Sequence, residues 1–207
     1  MPTMHLGRTP LLRRAAAALL LLAAACDSTG PDEVPEDELT FLSLAANAPP
    51  LESSVLQFYA VRGEAREGAL FFQDEQGQRG DEFLRIKFED DAILTDANGL
   101  PVAPGDSVLI TITAVDPSRI LFDFQPSGIV FNPTEMPELE ISYEEAEDDL
   151  DDDGDVDDDD LEIERELSIW RQETLTSPFV RLFSVTLEDL DEIRAEIPGF
   201  TRYAIAY

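Results

Sequence analysis

Histidine, cysteine and lysine are almost absent from the sequence, and each absence excludes a class of chemistry. The 207 residues include one histidine, His5, one cysteine, Cys26, and one lysine, Lys87. Because His5 falls in a segment that we expect to be removed, the mature chain would lack the base of Ser-His-Asp and Cys-His mechanisms. It would also lack the ligands of a histidine or cysteine zinc site, and it cannot form an internal disulfide. We therefore expect a protein that is not an enzyme.

Basic residues are scarce as well, and the sequence is strongly acidic. Lys and Arg number 14 against 45 Asp and Glu, which gives a net charge of −31. Three arginines lie within residues 1–25, so the remaining 11 basic and 45 acidic residues give the mature chain a charge of −34. Such a surface repels nucleic-acid phosphates and anionic lipid headgroups. It attracts divalent cations and basic proteins, so we expect no nucleic-acid partner.

Residues 1–25 are typical of a lipoprotein signal peptide. A basic segment, residues 1–14, precedes an apolar run at 15–25 that is too short to span a bilayer. Three alanines then lead directly to Cys26, as in the bacterial lipobox, where cleavage precedes a cysteine that receives lipid. The alternative is an ordinary signal peptide with an incidental cysteine. We predict lipidation of Cys26, which would place the protein in the bacterial cell envelope, periplasmic or surface-exposed, on either membrane.

Residues 26–50 predict a disordered acidic tether. Residues 27–38 consist mostly of Pro, Gly, Ser, Thr and acids, a composition that cannot bury a core. Extended at about 3.1 Å per residue, the tether would hold a folded domain tens of ångströms from the bilayer.

Residues 51–207 predict an all-β antiparallel sandwich. In the clearest strand, residues 107–115, Val108, Ile110 and Ile112 alternate with threonines. Similar short runs lie at 55–61, 69–72, 83–88, 120–125, 139–143, 167–171, 179–187, 191–197 and 200–207. Alternation with period two, interrupted by Gly, Pro and Asn turn signals, is typical of sandwiches.

Two motifs in this region resemble the ZU-five domain of zonula occludens proteins, ankyrins and netrin receptors, which is related to GAIN domains. One is Phe-Gln-Pro-Ser-Gly-Ile-Val-Phe at 124–131, followed by Pro-Glu-Leu-Glu-Ile-Ser-Tyr at 137–143. The other is the closing segment Gly-Phe-Thr-Arg-Tyr-Ala-Ile-Ala at 199–206. The resemblance covers roughly residues 80–207. It implies a β-sandwich that serves as a protein-interaction or scaffold module.

Some members of that family cleave their own chain within a His-Phe-Ser triplet. Phe200 and Thr201 keep the bond and a hydroxyl, but Gly199 stands where the histidine would be. Without a base of near-neutral pKa the hydroxyl is a weak nucleophile. We predict no self-cleavage.

An acidic insertion, residues 144–162, holds 14 Asp or Glu among its 19 residues. Its segment 149–160 resembles the calcium loop of EF-hand and dockerin type, with Gly154 at the sharp turn and Val156 packing inward. The predicted Ca²⁺ ligands are Asp149, Asp151, Asp153, Asp155 through its carbonyl, Asp157 and Asp160. The alternative is a solvated, self-repelling charge run.

Taken together, the sequence predicts a lipid-anchored interaction or structural module that binds Ca²⁺ and an unknown protein or glycan. A carbohydrate- or adhesion-type binding module is the first alternative, with Trp170 and exposed tyrosines as its binding face. A hydrolase that uses a pair of acids is a more remote one.

Overall fold

The computed structural model describes Met1 and residues 32–207, apart from residue 117. The predicted lipidation site Cys26, residues 2–25 of the predicted signal peptide and tether residues 26–31 lie outside the described residues.

Short strands dominate the described part of the chain. In order they are β1 (Glu33–Val34), β2 (Val55–Val61), β3 (Arg66–Gln73), β4 (Arg79–Phe88), β5 (Ile93–Thr95), β6 (Ser107–Asp116), β7 (Leu121–Gln125), β8 (Val130–Phe131), β9 (Glu138–Ser142), β10 (Ser168–Gln172), β11 (Phe179–Arg181), β12 (Val185–Leu187), β13 (Glu192–Glu196) and β14 (Arg202–Ala206). One α-helix, α1 (Asp158–Glu164), lies between β9 and β10, and a 3-10 turn covers Glu188–Leu190.

Two antiparallel sheets form the sandwich. The larger sheet has the order β1-β11-β10-β14-β7-β6-β2, and the smaller has the order β12-β13-β9-β4-β3. A two-stranded ribbon, β5-β8, accompanies them. This arrangement confirms the all-β sandwich predicted from the alternation of apolar residues.

The core lies between the two sheets. Ile110 and Ile112 of β6 are fully buried, as the alternation predicted, because every second side chain of a strand points to the same face. Aromatic rings join the sheets, and the rings of Phe83 on β4 and Phe122 on β7 lie 5.2 Å apart. Each such side chain contributes about 1.5–3 kcal/mol through burial, so the sandwich is held by apolar packing.

The tether was predicted to reach residue 50, and the structure corrects this boundary. Residues 32–42, which we call the N-terminal strap, pair along the larger sheet and bury side chains both in the core and on the outer face of that sheet. Its strand β1 pairs with β11, and Leu39 and Leu42 are buried at 8% and 2% exposure. The ring of Phe41 meets that of Phe179 edge-on at 5.4 Å. These apolar residues do not alternate over a length typical of a strand, but the core and the outer face of the larger sheet give them surfaces against which to bury.

Candidate metal centre

The acidic insertion is anchored to the sandwich at several points. Ala146 pairs with Leu44 in an isolated antiparallel bridge, and the Tyr207 hydroxyl donates a hydrogen bond to the Leu150 carbonyl. The Tyr143 hydroxyl donates to Glu164 Oε1 at 3.0 Å, which ties α1 to the end of β9. The insertion is therefore a fixed part of the surface of the domain.

Aspartate side chains organise the first half of the twelve-residue loop, residues 149–160. The Asp149 carboxylate accepts hydrogen bonds from the backbone N–H groups of Asp153 at 3.2 Å and Gly154 at 3.0 Å. Asp151 accepts from Asp153 N–H at 3.1 Å, and Asp153 accepts from Asp155 N–H at 3.0 Å. Gly154 has φ of 95°, a conformation that a side chain would strain. The backbone therefore wraps around the carboxylates.

This wrapping brings three of the predicted ligands together. Asp149, Asp151 and Asp153 each offer a carboxylate oxygen, and the three oxygens lie within 4.8 Å of one another. Ca²⁺ takes oxygen ligands at about 2.3–2.6 Å, so these oxygens are close enough to share one ion. Places 1, 3 and 5 of the loop thus fit a hard divalent cation.

Asp160 has a different role in the described geometry. It is buried at 3% exposure and accepts backbone N–H hydrogen bonds from Leu150 at 2.6 Å and Asp157 at 2.8 Å. These bonds, that from Asp157 first, lower the pKa of its carboxyl group. Asp160 closes the two ends of the loop on each other, rather than joining the group of three carboxylates.

Asp157 begins the helix that leaves the loop. Its side chain accepts a hydrogen bond from Asp159 N–H at 2.9 Å, and with Asp160 it forms a capping box at the start of α1. The sequence predicts an all-β domain with this insertion, whereas the structure adds α1, a helix of seven residues. Acidic residues in the first turn favour the positive end of a helix, which explains why so acidic a segment forms one.

Val156 was predicted to pack inward, and this prediction is wrong. Its side chain is 67% exposed, although it borders a cavity of about 160 Å³ that Leu150 and Leu161 also line. Leu150 and Leu161 leave this cavity open, so Val156 lies at its rim without being buried.

Repulsion among the carboxylates is visible in Asp151. Its pKa is raised, first by partial desolvation and then by the charges of Asp153, Asp160 and Asp149, against the hydrogen bond from Asp153 N–H. Two charges 4 Å apart repel by about 1 kcal/mol even in bulk water. A bound divalent cation would remove this repulsion, so the chemistry of the donor set fits Ca²⁺.

A second group of carboxylates was missed by sequence reasoning. Asp90, Asp91 and Glu135 bring oxygens within 4.8 Å, and Glu135 Oε2 is buried without a hydrogen-bond partner. Arg62 Nε lies 3.6 Å from Asp91 Oδ1 and already supplies a positive charge there. The sequence carries no signal for this group because Asp90 and Asp91 lie on the loop after β4, whereas Glu135 lies on the loop after β8.

Trp170 does not offer a platform for sugars. It is 5% exposed, and its Nε1–H donates to the Ala206 carbonyl at 3.0 Å. Leu39 of the N-terminal strap belongs to the same apolar cluster and covers it. The carbohydrate alternative therefore loses its principal residue, and of the tyrosines it invoked Tyr59 is the one that stands out, at 60% exposure.

The most buried carboxylate besides Asp160 belongs to Glu140 of β9, and basic side chains surround it. It is 4% exposed, with Arg194 Nε at 2.6 Å, Arg85 at 3.2 Å and Lys87 Nζ at 3.6 Å. Alternation predicted an exposed acid here, and the basic side chains of β4 and β13 explain why burial is tolerated. Burial and ion pairing make this carboxylate unsuited to the pair of acids that the hydrolase alternative invokes; that alternative stays untested.

The segment compared with self-cleaving domains is also buried. The Thr201 hydroxyl donates to the Gln172 carbonyl, and the Gly199 carbonyl accepts from the Tyr203 hydroxyl. A backbone carbonyl cannot take up the proton that an attacking hydroxyl must lose. The absence of self-cleavage stays a prediction.

Comparisons with protein-family models, curated proteins and solved structures find no match to the chain. The resemblance to ZU-five domains and to dockerin-type loops therefore stays a prediction. No helix among the described residues combines the length and apolar character needed to cross a bilayer.

Proposed function

We propose that the protein is a lipid-anchored module of the bacterial cell envelope that binds Ca²⁺ in the acidic insertion and acts through interactions rather than catalysis. The observation that carries the calcium part is the convergence of Asp149, Asp151 and Asp153 within 4.8 Å. The lipid part rests on the basic, apolar and small-residue segments that precede Cys26. The non-enzymatic part rests on the lack of histidine after His5.

The N-terminal strap would hold the domain close to the membrane. Only six peptide units separate Cys26 from Asp32, where the described domain begins. Extended at about 3.3–3.6 Å each, they reach about 20 Å at most. The acyl chains, at about 0.8 kcal/mol per buried CH₂, would make this attachment stable. The module would thus work next to the bilayer surface.

Calcium binding would stabilise the loop by relieving carboxylate repulsion. Extracellular calcium modules often have dissociation constants of about 10⁻⁴–10⁻³ M. The last place of this loop holds Asp160, where a bidentate glutamate is usual. Because its carboxylate already accepts hydrogen bonds from two backbone N–H groups, we expect an affinity at the weak end of that range. We therefore expect a site that fills outside the cytoplasm, where calcium is abundant.

Calorimetry with Asp151→Asn tests this proposal. The full chain should bind one Ca²⁺ with a measurable heat, and its melting temperature should rise with calcium; Asp151→Asn should lose both effects. Asp158→Asn is the matched control, because Asp158 is exposed in the same loop but is not a predicted ligand. Equal loss in both variants would indicate general charge screening, and no heat at millimolar Ca²⁺ would overturn the calcium site.

Capture of partners from envelope extracts tests the interaction role. The lipidated chain should retain the same protein or glycan only when Ca²⁺ is present, and the Asp151→Asn variant should not retain it. A hydrolytic activity that survives purification would instead contradict the non-enzymatic role.

A further inference from the structure

An apolar patch interrupts the acidic surface at the crossing from the larger sheet to the smaller one. Phe183 is 90% exposed, and Val185, the first residue of the edge strand β12, is 48% exposed. Leu182, Met136 and Pro198 line the same open groove, whose volume is about 480 Å³. An aromatic side chain so exposed loses the free energy that burial would give, and it contributes nothing to the core.

The patch lies where the chain enters the domain. The Asp32 carbonyl accepts a hydrogen bond from Arg181 N–H at 2.9 Å, and Glu33 pairs with Val180. Phe183 follows Arg181 by two residues, so it lies within about 7 Å of that point along the chain. The distance of Phe183 from Cys26 is therefore limited by the six peptide units between Cys26 and Asp32 as well.

We propose that Phe183 and its apolar neighbours insert into the interfacial region of the lipid bilayer, as a second membrane contact beside the lipidated Cys26. This inference rests on the proposed lipid anchor. A covalent anchor holds the patch at a high effective concentration near the bilayer, so weak insertion is enough. Phe and Leu are among the side chains that membrane-bound protein segments bury at the boundary between headgroups and acyl chains. Since the net charge opposes attraction to anionic lipids, an apolar contact is the one that this acidic domain can make.

The position of the contact also fixes the orientation of the domain. With Phe183 in the bilayer, the carboxyl end of β11 lies at the membrane. Leu175, in the loop that joins β10 to the amino end of β11, then lies on the far side of the strand; its side chain is 69% exposed. Leu175 is thus a matched control, being as apolar and as accessible as the patch.

Tryptophan fluorescence in vesicles tests the insertion. Two variants of the lipidated full chain are compared, Phe183→Trp and Leu175→Trp. Each is reconstituted in phosphatidylcholine vesicles whose brominated acyl chains quench tryptophan fluorescence. The wild-type protein gives the background emission of the buried Trp170. Compared with unbrominated vesicles, brominated vesicles should quench the emission of the Phe183→Trp variant, which should also be shifted to the blue. The emission of Leu175→Trp should be the same in both kinds of vesicle. Phe183→Ser, which removes only an exposed ring, should increase the proteolytic accessibility of the patch in the same vesicles.

The outcomes separate this inference from the proposed function. If mass spectrometry shows lipidated Cys26 in the vesicles but Phe183→Trp is not quenched, the insertion is overturned and the lipid anchor stands. Quenching of both variants would overturn the orientation. An unmodified Cys26 in protein purified from cells would overturn the anchor and the insertion together.

Discussion

The sandwich core and the acidic insertion are stabilised in opposite ways. In the core, uncharged side chains such as Phe122 and Ile110 are fully buried and attract one another without any partner from solution. In the insertion, carboxylates of Asp149, Asp151 and Asp153 are held within 4.8 Å although their charges repel. The core needs no partner from solution, whereas the proposed binding of a cation would stabilise the insertion by relieving the repulsion among its carboxylates. The acidic insertion, rather than the core, is therefore the region whose stability should depend on the ions in solution.

Shortening a core aromatic should give the largest effect. Phe122→Ala removes a ring that packs against Phe83 at 5.2 Å and is fully buried. We expect the free energy of unfolding to fall by about 3–5 kcal/mol. Urea denaturation should show the same loss with and without Ca²⁺, and a loss that depends on calcium would mean that the two regions are not independent.

Calcium should stabilise the protein by less than this, and only through the loop. At a free concentration of about 100 times the dissociation constant, binding adds about 2.7 kcal/mol to the free energy of unfolding. Asp149→Asn, which removes a charge at place 1 of the loop, should abolish this increment in thermal melts. An increment retained in that variant would place the ion elsewhere, with the group of Asp90, Asp91 and Glu135 as the next position to examine.

The link between the two regions should contribute less again. Tyr143 is 7% exposed, and its hydroxyl donates to Glu164 of α1. Tyr143→Phe keeps the buried ring but removes this bond, so we expect a loss of about 1–2 kcal/mol in urea denaturation. Hydrogen exchange should show faster opening of α1 and unchanged protection of β6, whereas uniform loss of protection would make the helix part of the cooperative core.

The smallest effect that we expect is on the acid dependence of stability, in which Asp151 and Asp160 should lose their charges at different pH values. The pKa of Asp160 is lowered in the folded state, so its contribution is complete above the unfolded value of about 3.9 and is lost as the pH falls through the folded value. The pKa of Asp151 is raised, so its protonation begins at a higher pH and weakens calcium binding first. Melts from pH 7 to pH 3 should show the calcium increment vanish before the calcium-free stability falls. In Asp160→Asn the acid-dependent fall should be shallower.

Local patterns were enough to predict most strands and the convergence of three acidic side chains. The pattern of β6 depends only on side chains pointing to alternate faces, and the convergence of Asp149, Asp151 and Asp153 depends only on their spacing and on Gly154. The N-terminal strap could not be predicted, because Leu39 and Phe41 are ordered by Trp170 and Phe179, more than a hundred residues away. The burial of Glu140 was missed for the same reason, since the cations around it come from β4 and β13.

The pairing of the N-terminal strap has a consequence for the order of assembly. Leu42 N–H donates to the Ile205 carbonyl at 3.0 Å, and Thr40 exchanges hydrogen bonds with Tyr207 at 3.3 and 3.1 Å. Because a chain is synthesised from its amino end, the strap is made early, whereas its partners come only with the last described residues. The strap must therefore remain unpaired until then, and closure of the larger sheet is a late event in folding. Pairing between residues so far apart in sequence slows folding. The acidic residues of the strap would keep it soluble until its partners are made.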